Sequence, residues 1–160
     1  MLSKTKKGSD RRQRTRQLID KMLAQREQLM ALLCAVSGVE PFATEKPLPQ
    51  LLEEFCQVLV DYIASGHFGL YERIAVGTER RKAVVKLAQQ SYAKIVDTTQ
   101  VALDFNEKYD DLKDRGDLEI LQPDLWRLGE ELATRIELED KLIESLLGSE
   151  GQPVAEKQPH

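Results

Sequence analysis

Two cysteines and two histidines are the whole supply of thiol and imidazole groups in this 160-residue chain. Cys34 and Cys56 form no CxxC pair, His67 is the one internal histidine, and His160 ends the chain. A structural zinc site needs four such ligands, usually at short local spacing. A carboxylate-bridged diiron bundle needs two Glu-x-x-His pairs facing inward. One internal histidine supplies neither. Nucleophilic catalysis needs a Ser or Cys with a base in reach, yet no GxSxG elbow occurs and nothing in the sequence pairs Cys56 with His67. Phosphate-cradling loops of the GxGxxG and GxxxxGK[ST] types are absent as well. The many carboxylates fall on polar helix faces, where solvation is their ordinary role. The chain is therefore read as a non-enzyme with no metal and no cofactor.

What remains is a segment that is unusual for a plain core. Phe55-Cys56-Gln57-Val58-Leu59-Val60-Asp61-Tyr62 leads through Ser65-Gly66 into His67-Phe68 and Tyr71-Glu72. Polar and aromatic groups crowd around a helix break at Gly66. Asp61 falls on the polar side of the helix that its apolar neighbours define. A solvated Asp and core aromatics are the commoner outcome for such residues.

Charge gives these residues a direction. Residues 1–16 hold seven Lys and Arg against Asp10, a net +6, which leaves −10 for residues 17–160. An acidic body favours basic partners and opposes nucleic acid. The basic segment lacks the interleaved aromatics on which bases stack, so direct nucleic-acid binding is not expected. No run of 18 apolar residues exists, and no secretory signal opens the chain. A cytoplasmic protein with buried, reduced thiols and no membrane association is expected.

The elements that must position these groups are all helical by their apolar spacing. Leu18, Met22, Leu29, Leu33 and Val36, flanked by Ile19, Leu23 and Met30, define a first helix over about 11–37, stopped by Gly38 and Pro41. A second helix over about 48–65 buries Leu48, Leu51, Leu52, Phe55, Leu59, Tyr62 and Ile63. It turns Gln50, Glu54, Gln57 and Asp61 outward. A short third helix covers His67–Ile74. Thr78 could cap a fourth over about 79–114, with Val85, Ala88, Tyr92, Ile95, Thr99, Ala102, Asn106 and Tyr109 as its stripe. A fifth region spans about 117–147. Pro123 is tolerated only in a first turn, so its main helix starts near Gln122. Leu125, Leu128, Leu132, Ile136, Ile143 and Leu146 are its core face. The expectation is an all-α antiparallel bundle of about five helices. Its domain spans 15–147, between a basic flexible arm (1–14) and a disordered tail (148–160).

These residues resemble the Rsd/AlgQ family of sigma-factor regulators. The likeness is carried by Leu18-Ile19-Asp20 with Leu23 and Arg26, by the FCQ-x-LVDY and GHF-x-x-YE segments, and by Leu128-Gly129-Glu130, Arg135 and Leu138–Ile143. Thr98-Thr99-Gln100 and Ala102–Asn106 look closer to the AlgQ branch. One departure is Met22, where close relatives carry Trp. The resemblance implies an anti-sigma factor that binds region 4 of the primary sigma factor and holds it from core polymerase and promoter DNA. It also implies that Asp61 is the acidic contact, with Asp20, His67, Phe68, Tyr71 and Glu72 near the same surface. Glu139 and Asp140 would support the bundle or line its cleft. A regulatory adaptor for a phosphotransfer carrier or a stringent-response enzyme is the alternative reading.

Overall fold

The computed structural model describes residues 2–38, 46–71, 74, 81–110 and 120–151. Among them every element is helical: α1 (Leu2–Val36), α2 (Leu48–Gly66), α3 (Lys82–Tyr109) and α4 (Leu121–Gly151). The expected short third helix is a five-residue π turn, His67–Tyr71, that runs straight on from α2. Among the described residues the bundle therefore shows four α-helices against the expected five or so, with Ile74 also helical beyond the π turn. Helical backbone also extends past both expected domain limits, to Leu2 in α1 and to Gly151 in α4.

Local sequence explains most boundaries. Gly38 adopts φ 75° after α1 and returns its N–H to Ala35 O at 3.1 Å. That is the left-handed residue that closes many helices. Pro49 sits in the first turn of α2, where its missing N–H costs nothing. Pro123 occupies the same kind of position in α4. The N-cap of α3 is Arg81, without a side-chain cap bond. Thr78, the expected cap, lies outside the described residues.

α1 packs on α2, α2 on α3, and α3 on α4. The shared core includes Met22, Leu29, Leu52, Phe55, Leu59, Leu128, Leu132 and Leu142. Phe55 meets Phe105 edge to face at 5.7 Å, and Phe105 stacks on Tyr109 at 4.6 Å, joining α2 to α3. In α3 the expected Ala88, Ile95, Ala102 and Tyr109 are buried, while the alternate positions of the stripe lie one residue earlier than expected. Val84, Ser91, Thr98 and Phe105 are buried, whereas Tyr92 is 54% exposed. In α1, Leu18 lies off the core and is the nearest side chain to Gly69 of the π turn.

Candidate partner-docking face

The last two turns of α2 divide into an inner and an outer half. The inner half is held by a buried polar cluster. Glu139 and Arg135 of α4 are both 0% exposed and paired at 3.0 Å. A one-turn offset within a helix brings such a pair together. Tyr62 donates its hydroxyl proton to Glu139. Arg26 of α1 donates to Tyr62 Oη at 3.0 Å, to Glu139 at 3.3 Å and to Asp140 at 2.6 Å. Arg135 also reaches α3, donating to Thr99 Oγ1 at 2.7 Å and Thr98 Oγ1 at 3.2 Å. Two guanidinium groups thus balance two carboxylates, and one cluster ties all four helices.

Ionisation follows from this geometry. Burial, together with the neighbouring Glu139 charge, pushes the Tyr62 and Tyr71 hydroxyls well above the ordinary phenol value. Burial acts against the Arg26 charge, but the bonds to Tyr62 and Asp140 prevail and raise it. All three groups therefore keep their ordinary protonation at neutral pH. Gly66 closes the cluster. A Cβ there would lie 2.8 Å from Glu139 Oε2 and 3.2 Å from Arg135 Nη2. Only glycine lets the chain pass so close.

The outer half is exposed. Asp61 projects into solvent and accepts a 3.3 Å hydrogen bond from Gln57. Phe68, just beyond Gly66, is 66% exposed and sits edge-on to His67, itself exposed. An open groove of about 930 Å³ runs between α1 and α2. Its walls include apolar Ala31, Leu32, Ala35 and Val58, with Glu53 and Glu54 on the α2 side.

The residues expected at the surface thus separate. Asp61, His67 and Phe68 share the exposed end of α2 and the π turn. Tyr71 is only 4% exposed and belongs to the core behind them. Asp20 is exposed, but two residues from buried Met22 it points away from the core on the far side of α1. Glu72 lies outside the described residues. Periodicity alone missed the burial of Arg135. The available signal was its register, three residues after Leu132, with Glu139 one turn on. Among the described residues no group of three or more His, Cys, Asp or Glu could hold a metal. No described helix is long and apolar enough to cross a membrane.

The chain is 33% identical over 148 residues to the "Regulator of sigma D" of Yersinia enterocolitica, covering 90% of this chain and 89% of that one. It is 34% identical over 149 residues to that of Yersinia pestis, covering 90% and 88%. To the Escherichia coli O1:K1 protein of the same name it is 30% identical over 145 residues, covering 89% and 92%. No solved structure matches significantly. Residues 1–147 match the family described as "Regulator of RNA polymerase sigma(70) subunit, Rsd/AlgQ". With an all-helical bundle and related proteins matched over nine-tenths of its length, this chain belongs to the Rsd/AlgQ family of sigma-factor regulators.

Proposed function

We propose that this protein binds region 4 of the primary sigma factor and withholds it from core RNA polymerase and promoter DNA. The observation that carries this reading is the exposed Asp61 and Phe68, within about two helical turns of each other, beside a groove of mixed lining whose α2 wall carries Glu53 and the Lys46-paired Glu54. A surface that reads DNA is basic. An acidic carboxylate flanked by an apolar ring suits such a partner by charge and by desolvation. The net −10 of residues 17–160 adds steering of the same sign. Occlusion is then the mechanism: a DNA-reading surface that covers Asp61 cannot also contact a promoter.

Titration calorimetry of the full chain with isolated region 4, at low and moderate salt, tests this. Binding that weakens as salt rises is expected. Asp61→Arg should cost about 2–5 kcal/mol if the contact is desolvated, and under about 1 kcal/mol if it sits on the rim. Absence of a complex at micromolar concentration in low salt rejects the reading. Unchanged affinity of the variant removes Asp61 from the interface.

A further inference from the structure

Helix α3 carries a second exposed apolar stripe, separate from the face just described. Tyr92, Val96 and Leu103 are 54%, 44% and 42% exposed. Val85 and Thr99 continue the line, partly buried. The spacing 85, 92, 96, 99, 103 follows the seven-residue repeat that holds one helix against another. Val85, Tyr92, Val96 and Leu103 are turned about a quarter of the way round α3 from buried Ile95 and Ala102, while Thr99, which accepts from Arg135, lies nearer the core. The stripe is therefore not the edge of the core already filled by Phe105 and Tyr109.

Charges beside the stripe are sorted along the helix. Lys82 and Lys86 stand exposed at its start; Asp104, Glu107 and Asp110 stand exposed at its end. Gln89, Ala93 and Gln100 fill the exposed middle. This order opposes the helix dipole, which favours anions at the N-terminus and cations at the C-terminus. One cation at the far end, Lys108, is engaged by Asp124 of α4. The isolated helix is thus worse off for its own charge pattern.

An antiparallel copy of the same helix removes the conflict. We propose that α3 is a self-association surface, pairing with α3 of a second copy about a two-fold axis at Val96. Lys82 then faces Asp110, and Lys86 faces Asn106, next to Glu107, so each basic end meets an acidic end. The two dipoles run in opposite directions. Val96 meets Val96 on the axis, and Tyr92 packs between Val96 and Leu103 of the other copy. Such an interface is isologous and closes on itself, so it yields dimers and no filament. A single helix seam is small beside the about 1,200 Å² buried by stable interfaces, which places the equilibrium in the micromolar range or weaker. The inference does not depend on the sigma-factor reading, since it uses no residue of the α2 face.

Sedimentation of the full-length chain from low to high concentration tests it. A monomer–dimer equilibrium that weakens with added salt is expected. Val96→Glu should weaken it by at least about tenfold, by placing two carboxylates on the axis. The doubly reversed chains Lys82→Glu/Lys86→Glu and Asp104→Lys/Glu107→Lys should each be monomeric, and an equimolar mixture should form heterodimers. Both reversals put charges on the favourable side of the helix dipole, so lost pairing does not come from a lost helix; circular dichroism checks this. A wild-type chain that stays monomeric at the lowest salt overturns the proposal. So does a dimer that ignores Val96→Glu, or a mixture of the two reversed chains that does not pair.

Discussion

Glu139 is the residue on which most of the bundle's polar order depends. It accepts hydrogen bonds from Arg26 of α1, Tyr62 of α2 and Arg135 of α4, with no exposure to water. Removing one partner of a buried pair leaves the other charge uncompensated, which costs about 3–5 kcal/mol. Glu139→Ala should therefore lower urea-unfolding stability by about that amount. The paired change Arg135→Met with Glu139→Leu removes both charges and should cost distinctly less. A single and a double variant of equal stability would mean that Arg135 finds its compensation elsewhere. The cysteines give a second test at this scale. Burial, with the nearby Asp110 charge, pushes the Cys56 thiol up to about 12, and Cys34 is only partly buried. The thiolate is the reactive form. A thiol reagent at pH 8 should titrate Cys34 in the native protein and both cysteines in denaturant. Fast native reaction of Cys56 would show that α2 opens locally.

At the scale of elements, α3 and α4 are joined at their adjacent ends by Asp124. It accepts from Tyr109 Oη at 2.6 Å and from Lys108 at 2.9 Å, and it stands in the first turn of α4. Partial burial acts to raise its pKa, but these bonds prevail and hold it below the usual 3.8. A depressed carboxylate stabilises the fold above its unfolded-state pKa, and that contribution disappears as pH falls through the folded value. The side chain is a third exposed, so solvent screening keeps the effect at or below about 1 kcal/mol. Asp124→Asn should be less stable than wild type at pH 7 by up to that amount. The two should converge as pH falls through the depressed pKa of the folded carboxyl. A gap that persists in acid would mean the loss is one of packing rather than charge. The same two helices show what periodicity can and cannot convey. Leu125, Leu128, Leu132 and Leu146 are read correctly because apolar residues recur at unbroken helical spacing. In α3 the core includes Ser91 and Thr98, whose hydroxyls bond Leu87 O and Ile95 O. Thr98 also receives the buried Arg135. A reading that ranks Tyr92 as more apolar than Ser91 misplaces every second position of the stripe, although Ala88, Ile95, Ala102 and Tyr109 are placed correctly; at Thr98 the polar demand comes from another helix. The outward set of α2, by contrast, was legible except at Glu54, which is half-buried and paired with Lys46. Gln50, Gln57 and Asp61 are exposed where the alternation of faces puts them. The break at Gly66 was legible too. That α2 continues through it as a π turn was not, since the bonds that decide it are local backbone geometry.

Across the whole molecule the charge is divided between a basic first segment and an acidic remainder. The +6 of residues 1–16 offsets more than half of the −10 carried by residues 17–160. Among the α1 residues whose burial is described, the first buried one is Ile19, so removing residues 1–16 takes away charge and none of the described buried side chains. For a basic partner approaching the α2 face, the 160-residue chain carries a net charge of −4, and the shortened one carries −10. Long-range fields act on encounter rates, and salt screens them over about 10 Å at 0.1 M. The shortened chain should bind a basic sigma region several-fold faster at low salt, with nearly unchanged dissociation. The difference should shrink toward zero as salt rises. Stopped-flow association with both chains at two ionic strengths measures it. If the shortened chain associates more slowly, the first segment makes contacts of its own with the partner, and the acidic body is not what guides the approach. If the rates match at every salt concentration, residues 1–16 lie too far from the docking face for their charge to be felt there.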